Sequence, residues 1–147
     1  MKIKTSVVKY LLPLLLLVLP AAIIPACEFS FDLLGSDGTA LSLRPGTETA
    51  LQQGETYILE VTFFEDHRKC LLTPEDTEFF LEEVKWKPGR DLPLLLEEAA
   101  TWEQTDSRTN RAALSFQALE AGSFTLEVLR ECDKGGYDEL LLFSVSS

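Results

Sequence analysis

An alternation of apolar and polar residues over residues 54–64 constrains the fold of this chain more than any other sequence feature. Apolar side chains recur there at every second position, at Tyr57, Leu59, Val61 and Phe63. Successive side chains of a β-strand point to opposite faces, so this spacing predicts a strand with one buried face. We expect it to be the central strand of the fold.

The same alternation returns in many short segments that are separated by turn-forming residues. The segments predicted as strands are residues 28–34, 39–43, 47–53, 82–87, 101–105, 111–119, 123–131 and 137–145. Residues 92–100 are rich in Leu, Glu and Ala, which indicates helical propensity. There is no long amphipathic helix, and the spacing of the strands predicts an all-β sandwich of about seven strands.

Two parts of this pattern resemble a known fold family. The alternating residues that close the chain are similar to the last strands of bacterial immunoglobulin-like domains, and residues 54–61 look like their second strand. The residues that carry the first likeness are Leu114, Phe116, Ala118, Gly122, Phe124, Leu126 and Val128. The resemblance implies an immunoglobulin-like antiparallel β-sandwich over residues 27–147.

The spacing is also similar to that of the chagasin-type inhibitors of cysteine proteases, which are immunoglobulin-like. The inhibitory loops of that family, an Asn-Pro-Thr-Thr-Gly-Tyr stretch and an Arg-Pro-Trp stretch, are absent from this sequence. The resemblance therefore supports the fold and does not support inhibition. A chagasin-like protease inhibitor remains an alternative function.

Residues 1–26 have the composition of a secretory signal peptide. A basic start is followed by an uncharged apolar run over residues 11–26, and the basic residues are Lys2, Lys4 and Lys9. The run is short for a membrane span and contains three prolines, which favours a cleaved signal over a retained anchor.

The end of this run, Ile24 to Cys27, resembles the lipobox of bacterial lipoproteins. In that family the cysteine receives a diacylglycerol and becomes the first residue of the mature protein. Pro25 departs from the small residue that is usual at its position. The resemblance implies that Cys27 is lipidated and that acyl chains hold an otherwise soluble domain to a membrane. We expect an extracytoplasmic protein of the bacterial cell envelope.

The cysteine count agrees with that expectation. The chain has three cysteines, and an odd number in a secreted protein calls for an explanation. Lipidation of Cys27 leaves Cys70 and Cys132 as an even pair in an oxidising compartment. A disulfide between them would close a loop of about 60 residues and stabilise the fold by roughly 4 kcal/mol.

The charge of the chain narrows the choice of partners. Residues 1–26 hold three lysines and no acidic residue, so the remainder has 10 basic and 24 acidic residues, a net charge of −14. Such a surface disfavours nucleic acid and anionic lipid head groups. It suits cations or a basic patch on another protein, and it also keeps a membrane-anchored domain soluble.

The polar residues that follow the strongest strands are the candidate functional residues. His67 is the only histidine and lies close to Cys70 in the sequence. A binding surface is predicted from Asp66, His67, Asp133 and Tyr137. An alternative is a zinc or copper site with His67, Cys70 and Cys132 as ligands, which a disulfide would abolish by removing both thiolates.

Catalytic motifs are absent from the sequence. It contains no Gly-x-Ser-x-Gly, no Cys-x-x-Cys and no phosphate-binding glycine-rich loop. Adjacent carboxylates, as at Glu82 and Glu83, would point to opposite faces of a strand. Trp86 and Trp102 are expected in the core. We therefore expect a binding module without enzymatic activity or cofactor, whose partner is an unidentified protein or small ligand.

Overall fold

The computed structural model describes residues 27–65, 74–130 and 137–147. Those residues form eleven β-strands and one 3-10 turn, Pro74–Asp76, and none of their helices is long and apolar enough to cross a membrane. The strands are β1 Cys27–Leu34, β2 Ala40–Leu43, β3 Glu48–Gln52, β4 Thr56–Glu65, β5 Thr77–Leu81, β6 Val84–Lys85, β7 Leu94–Leu96, β8 Thr101–Gln104, β9 Thr109–Ala118, β10 Gly122–Arg130 and β11 Tyr137–Ser146.

The strands form two sheets that pack face to face. Sheet A has the order β2-β1-β4-β9-β7, with β8 also paired to β9, and sheet B has the order β3-β11-β10-β5-β6. The predicted central strand is confirmed as β4, which lies between β1 and β9 and buries Leu59, Val61 and Phe63. Inward-facing side chains of both sheets form one core, as in other β-sandwiches.

The strand order is that of an immunoglobulin-like sandwich. β1, β4, β9 and β7 share one sheet, and β5, β10 and β11 share the other. They correspond to the A, B, E and D strands and to the C, F and G strands of that fold. The predicted all-β sandwich is thus confirmed, although the described residues divide into more strand segments than the seven expected.

The sandwich is not wholly antiparallel as predicted, because β3 pairs with β11 in parallel register. The chain leaves sheet A after β2 and joins the edge of sheet B. The backbone N–H of Gly46 donates to the carbonyl of Leu140 at 2.8 Å at this crossing. β3 and β11 then run toward the same end of the molecule, so a parallel ladder is the pairing open to them.

The helical propensity of residues 92–100 does not produce a helix. Leu94 and Leu96 lie in β7, which pairs with β9, and both side chains are buried in the core. Burial of these leucines against β9 outweighs the local preference for a helix, which amounts to only a few tenths of a kcal/mol per residue.

The extended segment predicted over residues 82–87 is wrong at its start. Glu82 and Glu83 have φ values of 47° and 66° and form the two-residue turn between β5 and β6. Positive φ at both positions is the feature of the tight turns that suit a twisted hairpin. The Glu82 backbone N–H also donates to the carbonyl of Thr125 at 3.0 Å, which ties the turn to β10.

One end of the sandwich brings together the ends of four strands, and we call it the Cys27 end. Cys27 pairs with Glu65 in sheet A, and Arg130 pairs with Tyr137 in sheet B. Phe63 joins the sheets, because its ring centroid lies 4.2 Å from the guanidinium carbon of Arg130 and 6.3 Å from the Tyr137 ring centroid. The expectation that β4 and β10 finish on the same side is confirmed.

Candidate functional sites

Most of the residues predicted to form a site lie outside the described residues. Their pairing, metal binding and surface role therefore remain predictions, and in the described part of the chain no three His, Cys, Asp or Glu side chains could together hold a metal ion. The residues outside are Asp66, His67, Cys70, Cys132 and Asp133.

Tyr137 is the described member of the predicted binding surface. It is half-buried, and its ring meets Phe63 in an edge-to-face contact. Aromatic pairs in this arrangement stabilise a core by about 0.5–1.5 kcal/mol beyond the burial of their area. Tyr137 therefore packs against the core at the Cys27 end. There it pairs with Arg130, the last residue of β10.

Cys27, the predicted lipidation residue, begins β1 with its side chain turned inward. It is a free cysteine, and its side chain is only 2% exposed within the core cluster. Its partner across the ladder is Glu65, the residue directly before Asp66. The predicted anchor is thus adjacent to Glu65, the last residue of β4.

Arg130 is a buried cation that our sequence predictions did not include. It is 1% exposed, its guanidinium lies over the Phe63 ring, and its Nη1 donates to Thr77 Oγ1 at 3.2 Å. A buried charge is costly unless such interactions compensate for lost hydration. The signal was present in the sequence, because Arg130 continues the inward-facing series of Leu126 and Val128.

A cleft opens on the side of the sandwich where β6 of sheet B faces β7 and β8 of sheet A. It has a volume of about 230 Å³ and is open to solvent. Its walls are mainly aromatic and aliphatic, and its rim carries both acidic and basic side chains. The apolar lining includes Phe79, Trp86, Leu96, Trp102 and Leu114.

Trp86 forms a fixed wall of this cleft. Its indole Nε1–H donates to the carbonyl of Leu94 at 2.7 Å, and its ring meets Phe116 edge-on at 5.5 Å between centroids. The hydrogen bond satisfies the polar atom of a buried ring and joins sheet B to sheet A. Trp86 is therefore a core residue, as predicted, and also a wall of the cleft.

Trp102 lies on β8 opposite Ala112 and is half-buried against the core. The prediction of a core role is only partly right, because the remaining surface of Trp102 lines the cleft. No sequence feature indicated this, since a strand at the side of a sandwich has the same alternation as a strand at its centre. Two indoles from opposite sheets thus line one open cleft.

The rim of the cleft is polar but largely balanced in charge. Lys85 Nζ lies 2.5 Å from Glu78 Oε1, and both side chains are about half exposed. An exposed ion pair of this kind contributes at most about 1 kcal/mol and is screened by salt. The chemical character of the cleft comes from its aromatic walls, which suit a flat apolar group.

Comparisons with known proteins give similarity of shape alone. No family model matches the sequence, and no curated protein matches it. A chimeric titin Z1Z2 that carries an exogenous KLER peptide from decorin is similar at a TM-score of 0.40 and 15% identity, covering 80% of this chain and 96% of that chain.

Domains 4 and 5 of the S-layer protein SbsC are similar at a TM-score of 0.37 and 8% identity, covering 88% of this chain and 81% of that chain. At these scores, neither likeness bears on function. The assignment of the fold rests on the strand order within the two sheets.

Proposed function

We propose that this protein is a lipid-anchored binding module of the bacterial cell envelope that has no catalytic activity. The signal segment and the lipobox resemblance at Cys27 support the location, and the absence of catalytic motifs from the sequence supports a binding role. The observation that carries the proposal is the side cleft, which both tryptophans of the chain line. An open aromatic cleft of this kind is the default site for a ligand.

The cleft suits a ring-sized apolar group, supplied by a small molecule or by a side chain of a partner protein. Its volume of about 230 Å³ exceeds the roughly 150 Å³ of a protein cavity that holds benzene. One or two fused rings would fill it. The half-buried Trp102 would supply most of the aromatic contact, the buried Trp86 would form the wall behind it, and the charged rim would stay in water.

Tryptophan fluorescence provides a direct test, because Trp86 and Trp102 are the only tryptophans in the chain. We expect titration with 2-naphthol to change the tryptophan emission in a saturable way. The Trp102→Ala variant, which keeps Trp86 as reporter, should bind about two- to tenfold more weakly, since a lost aromatic contact costs about 0.5–1.5 kcal/mol.

Phe64→Ala is the matched control, because Phe64 is an aromatic residue that is 39% exposed on the outer face of sheet A. This variant should bind 2-naphthol as the unaltered protein does. A linear, non-saturating change in emission would remove the cleft as a ligand site. Equal weakening by both substitutions would do the same.

Attachment through Cys27 would have a direct structural consequence. β1 begins at Cys27, so no linker would separate the acyl chains from the sandwich. Residues that face each other in an antiparallel ladder lie about 5 Å apart, so Glu65 would lie next to the anchor. Since the thiol is buried, lipidation would turn Cys27 outward and leave Glu28 opposite Phe64 as the last pair of the ladder.

This geometry changes the role that we propose for the Cys27 end. The Cys27 end would be held at the membrane, whereas the side cleft lies between β6 of one sheet and β7 and β8 of the other. We therefore propose the cleft, rather than the predicted polar segments, as the primary binding site. Accumulation of an uncleaved precursor in the presence of globomycin tests the anchor, and normal processing of a Cys27→Ser variant would contradict it.

We also propose the disulfide between Cys70 and Cys132. The strands that precede these cysteines finish at the same end, where Phe63 and Arg130 are in contact. Cys70 lies five residues beyond Glu65, and five extended residues span at most about 18 Å. The number of residues beyond each strand end is thus compatible with a bridge, and the mass of the non-reduced protein should be lower by two hydrogens.

A further inference from the structure

The outer face of sheet B carries apolar and acidic side chains in alternating positions. Phe80, Glu127 and Leu140 lie side by side across β5, β10 and β11. One step closer to the Cys27 end, the same three strands place Glu78, Leu129 and Asp138 side by side. Each row thus mixes apolar side chains with carboxylates, and the order is inverted between rows.

No element among the described residues covers this face. Leu140 is 44% exposed, and Phe80 and Leu129 are half-buried although they point away from the core. A depression of about 370 Å³ lies over the row of Phe80, Glu127 and Leu140. Glu82 and Glu83 of the β5–β6 turn also line it. The outward side of these apolar side chains contacts water, whereas a core side chain is surrounded by other protein atoms.

We propose that this face binds a basic, amphipathic segment of another protein. Lys and Arg side chains have long apolar stems and charged ends, and they cover apolar surface while keeping the charge at its edge. Stems lying on Phe80 and Leu140 would place ammonium or guanidinium groups beside Glu127 and Asp138. This inference does not depend on the side cleft, which lies between the sheets.

The charge on this face selects the partner. A second copy of the chain would bring carboxylates against carboxylates, and like charges across an interface are unfavourable. Anionic lipid and nucleic acid are disfavoured for the same reason. Lys85 is a basic residue of this face, and it is already paired with Glu78. A basic protein surface is the partner whose charge complements the face.

The pKa of Glu127 indicates that a positive charge beside this carboxylate would be favourable. Its pKa is raised above the usual value for a glutamate, first by partial burial, then by the charge of Asp138 and a hydrogen bond with it, and by the charge of Glu83. The outer face of sheet A differs, because Glu60 there forms an ion pair with Arg111 and raises the pKa of that guanidinium. A cation bound beside Glu127 would relieve the repulsion.

The test uses a fluorescein-labelled peptide of alternating Lys and Leu, of about eight residues, which is the length of a strand. Its binding to the full-length protein in non-ionic detergent is measured by fluorescence anisotropy, with empty micelles as the blank. We expect saturable binding that is weakened by at least about fivefold in the Glu127→Gln/Asp138→Asn variant, because two charge contacts are lost. A peptide of alternating Lys and Ser should bind more weakly than the Lys-Leu peptide.

The matched control neutralises two carboxylates on the outer face of sheet A. The Glu28→Gln/Asp32→Asn variant has the same net charge as the first variant, and it should keep the affinity within about twofold. Equal weakening by both variants would mean that only the net charge matters and would overturn the proposal. Equal binding of the Lys-Leu and Lys-Ser peptides would overturn it too, by removing the apolar contribution.

Discussion

Arg130 shows how a single polar residue can join two apolar sheets. Its guanidinium contacts Phe63 of sheet A and Thr77 of its own sheet, and almost none of it is exposed. The alternation of β10 continues to position 130, which points inward, although our sequence predictions did not name Arg130 as buried. It did not predict that the inward residue would be stabilised by an aromatic face, because the partner lies on β4, far away in the sequence.

We expect Arg130→Ala to lower the free energy of unfolding by about 3 kcal/mol, because a large buried side chain and its cation–π contact are lost. Arg130→Met keeps most of the volume and should cost about 1–2 kcal/mol. Urea denaturation of both variants, and of each combined with Phe63→Leu, gives the coupling between the two residues. Strict additivity would contradict a direct interaction between them.

Gly122 is required by the start of β10. Its φ is 149°, and a Cβ atom at this position would lie 3.1 Å from the Cζ atom of Phe124. We expect Gly122→Ala to reduce stability by about 2 kcal/mol through backbone strain and crowding together. Gly46→Ala is the control, because Gly46 has a φ of 74° and open space around it. It should cost only about 1 kcal/mol, and an equal loss would show that the Phe124 contact contributes nothing.

Glu127 should make the stability depend on pH in a defined direction. Its pKa is raised in the folded protein, so the folded state binds the proton more tightly than the unfolded chain. Its contribution to stability is therefore favourable at low pH and is lost as the pH rises through the raised pKa. Glu127→Gln should increase the melting temperature at neutral pH, and this gain should shrink on acidification. A gain that is the same at every pH would contradict the raised pKa.

At the scale of elements, alternation predicted most strands, and local composition failed where tertiary contacts decided the outcome. Residues 92–100 have a helix-forming composition, yet Leu94–Leu96 pairs with β9, and Leu94 and Leu96 are buried in the core. The turn at Glu82 and Glu83 was missed because glutamate is not typical of positive φ. There, pairing with Thr125 of β10 holds a conformation that the residues themselves do not favour.

Two substitutions at Glu83, in the β5–β6 turn, separate the effect of backbone strain on stability from the effect of the negative charge. Glu83→Gly should raise the free energy of unfolding by about 0.5–1 kcal/mol, because glycine adopts positive φ without a steric penalty. Glu83→Gln removes the same charge but keeps the strain, so it should gain clearly less. Denaturant titration of both variants decides the matter, and equal gains would show that repulsion among the carboxylates, rather than backbone strain, is relieved.

At the scale of the whole molecule, the two-sheet sandwich followed from the strand pattern, whereas the surfaces proposed here for binding did not. The alternation of apolar residues is the same in a strand at the open side and in a strand at the centre. It therefore did not predict the cleft at Trp86 and Trp102. The parallel pairing of β3 with β11 was missed as well, because it depends on where the chain crosses between sheets. Only the structure brings the starts and ends of distant strands together.

Attachment through the Cys27 end would determine which surfaces of the domain are accessible above the membrane. Attachment there would leave the side cleft and the outer face of sheet B open to partners alongside the membrane. Strands of eight to ten residues rise about 3.3 Å per residue, so the opposite end would lie about 30 Å from the membrane surface. The domain would thus bind laterally rather than from its tip.

Intact mass of the protein extracted from membranes tests this arrangement most directly. We expect the mass of residues 27–147 with a lipid modification on Cys27, lowered by two hydrogens for the disulfide between Cys70 and Cys132. Reduction should restore the two hydrogens and leave the lipid in place. The mass of an unmodified chain that retains residues 1–26, with all three cysteines as free thiols, would contradict both the anchor and the bridge.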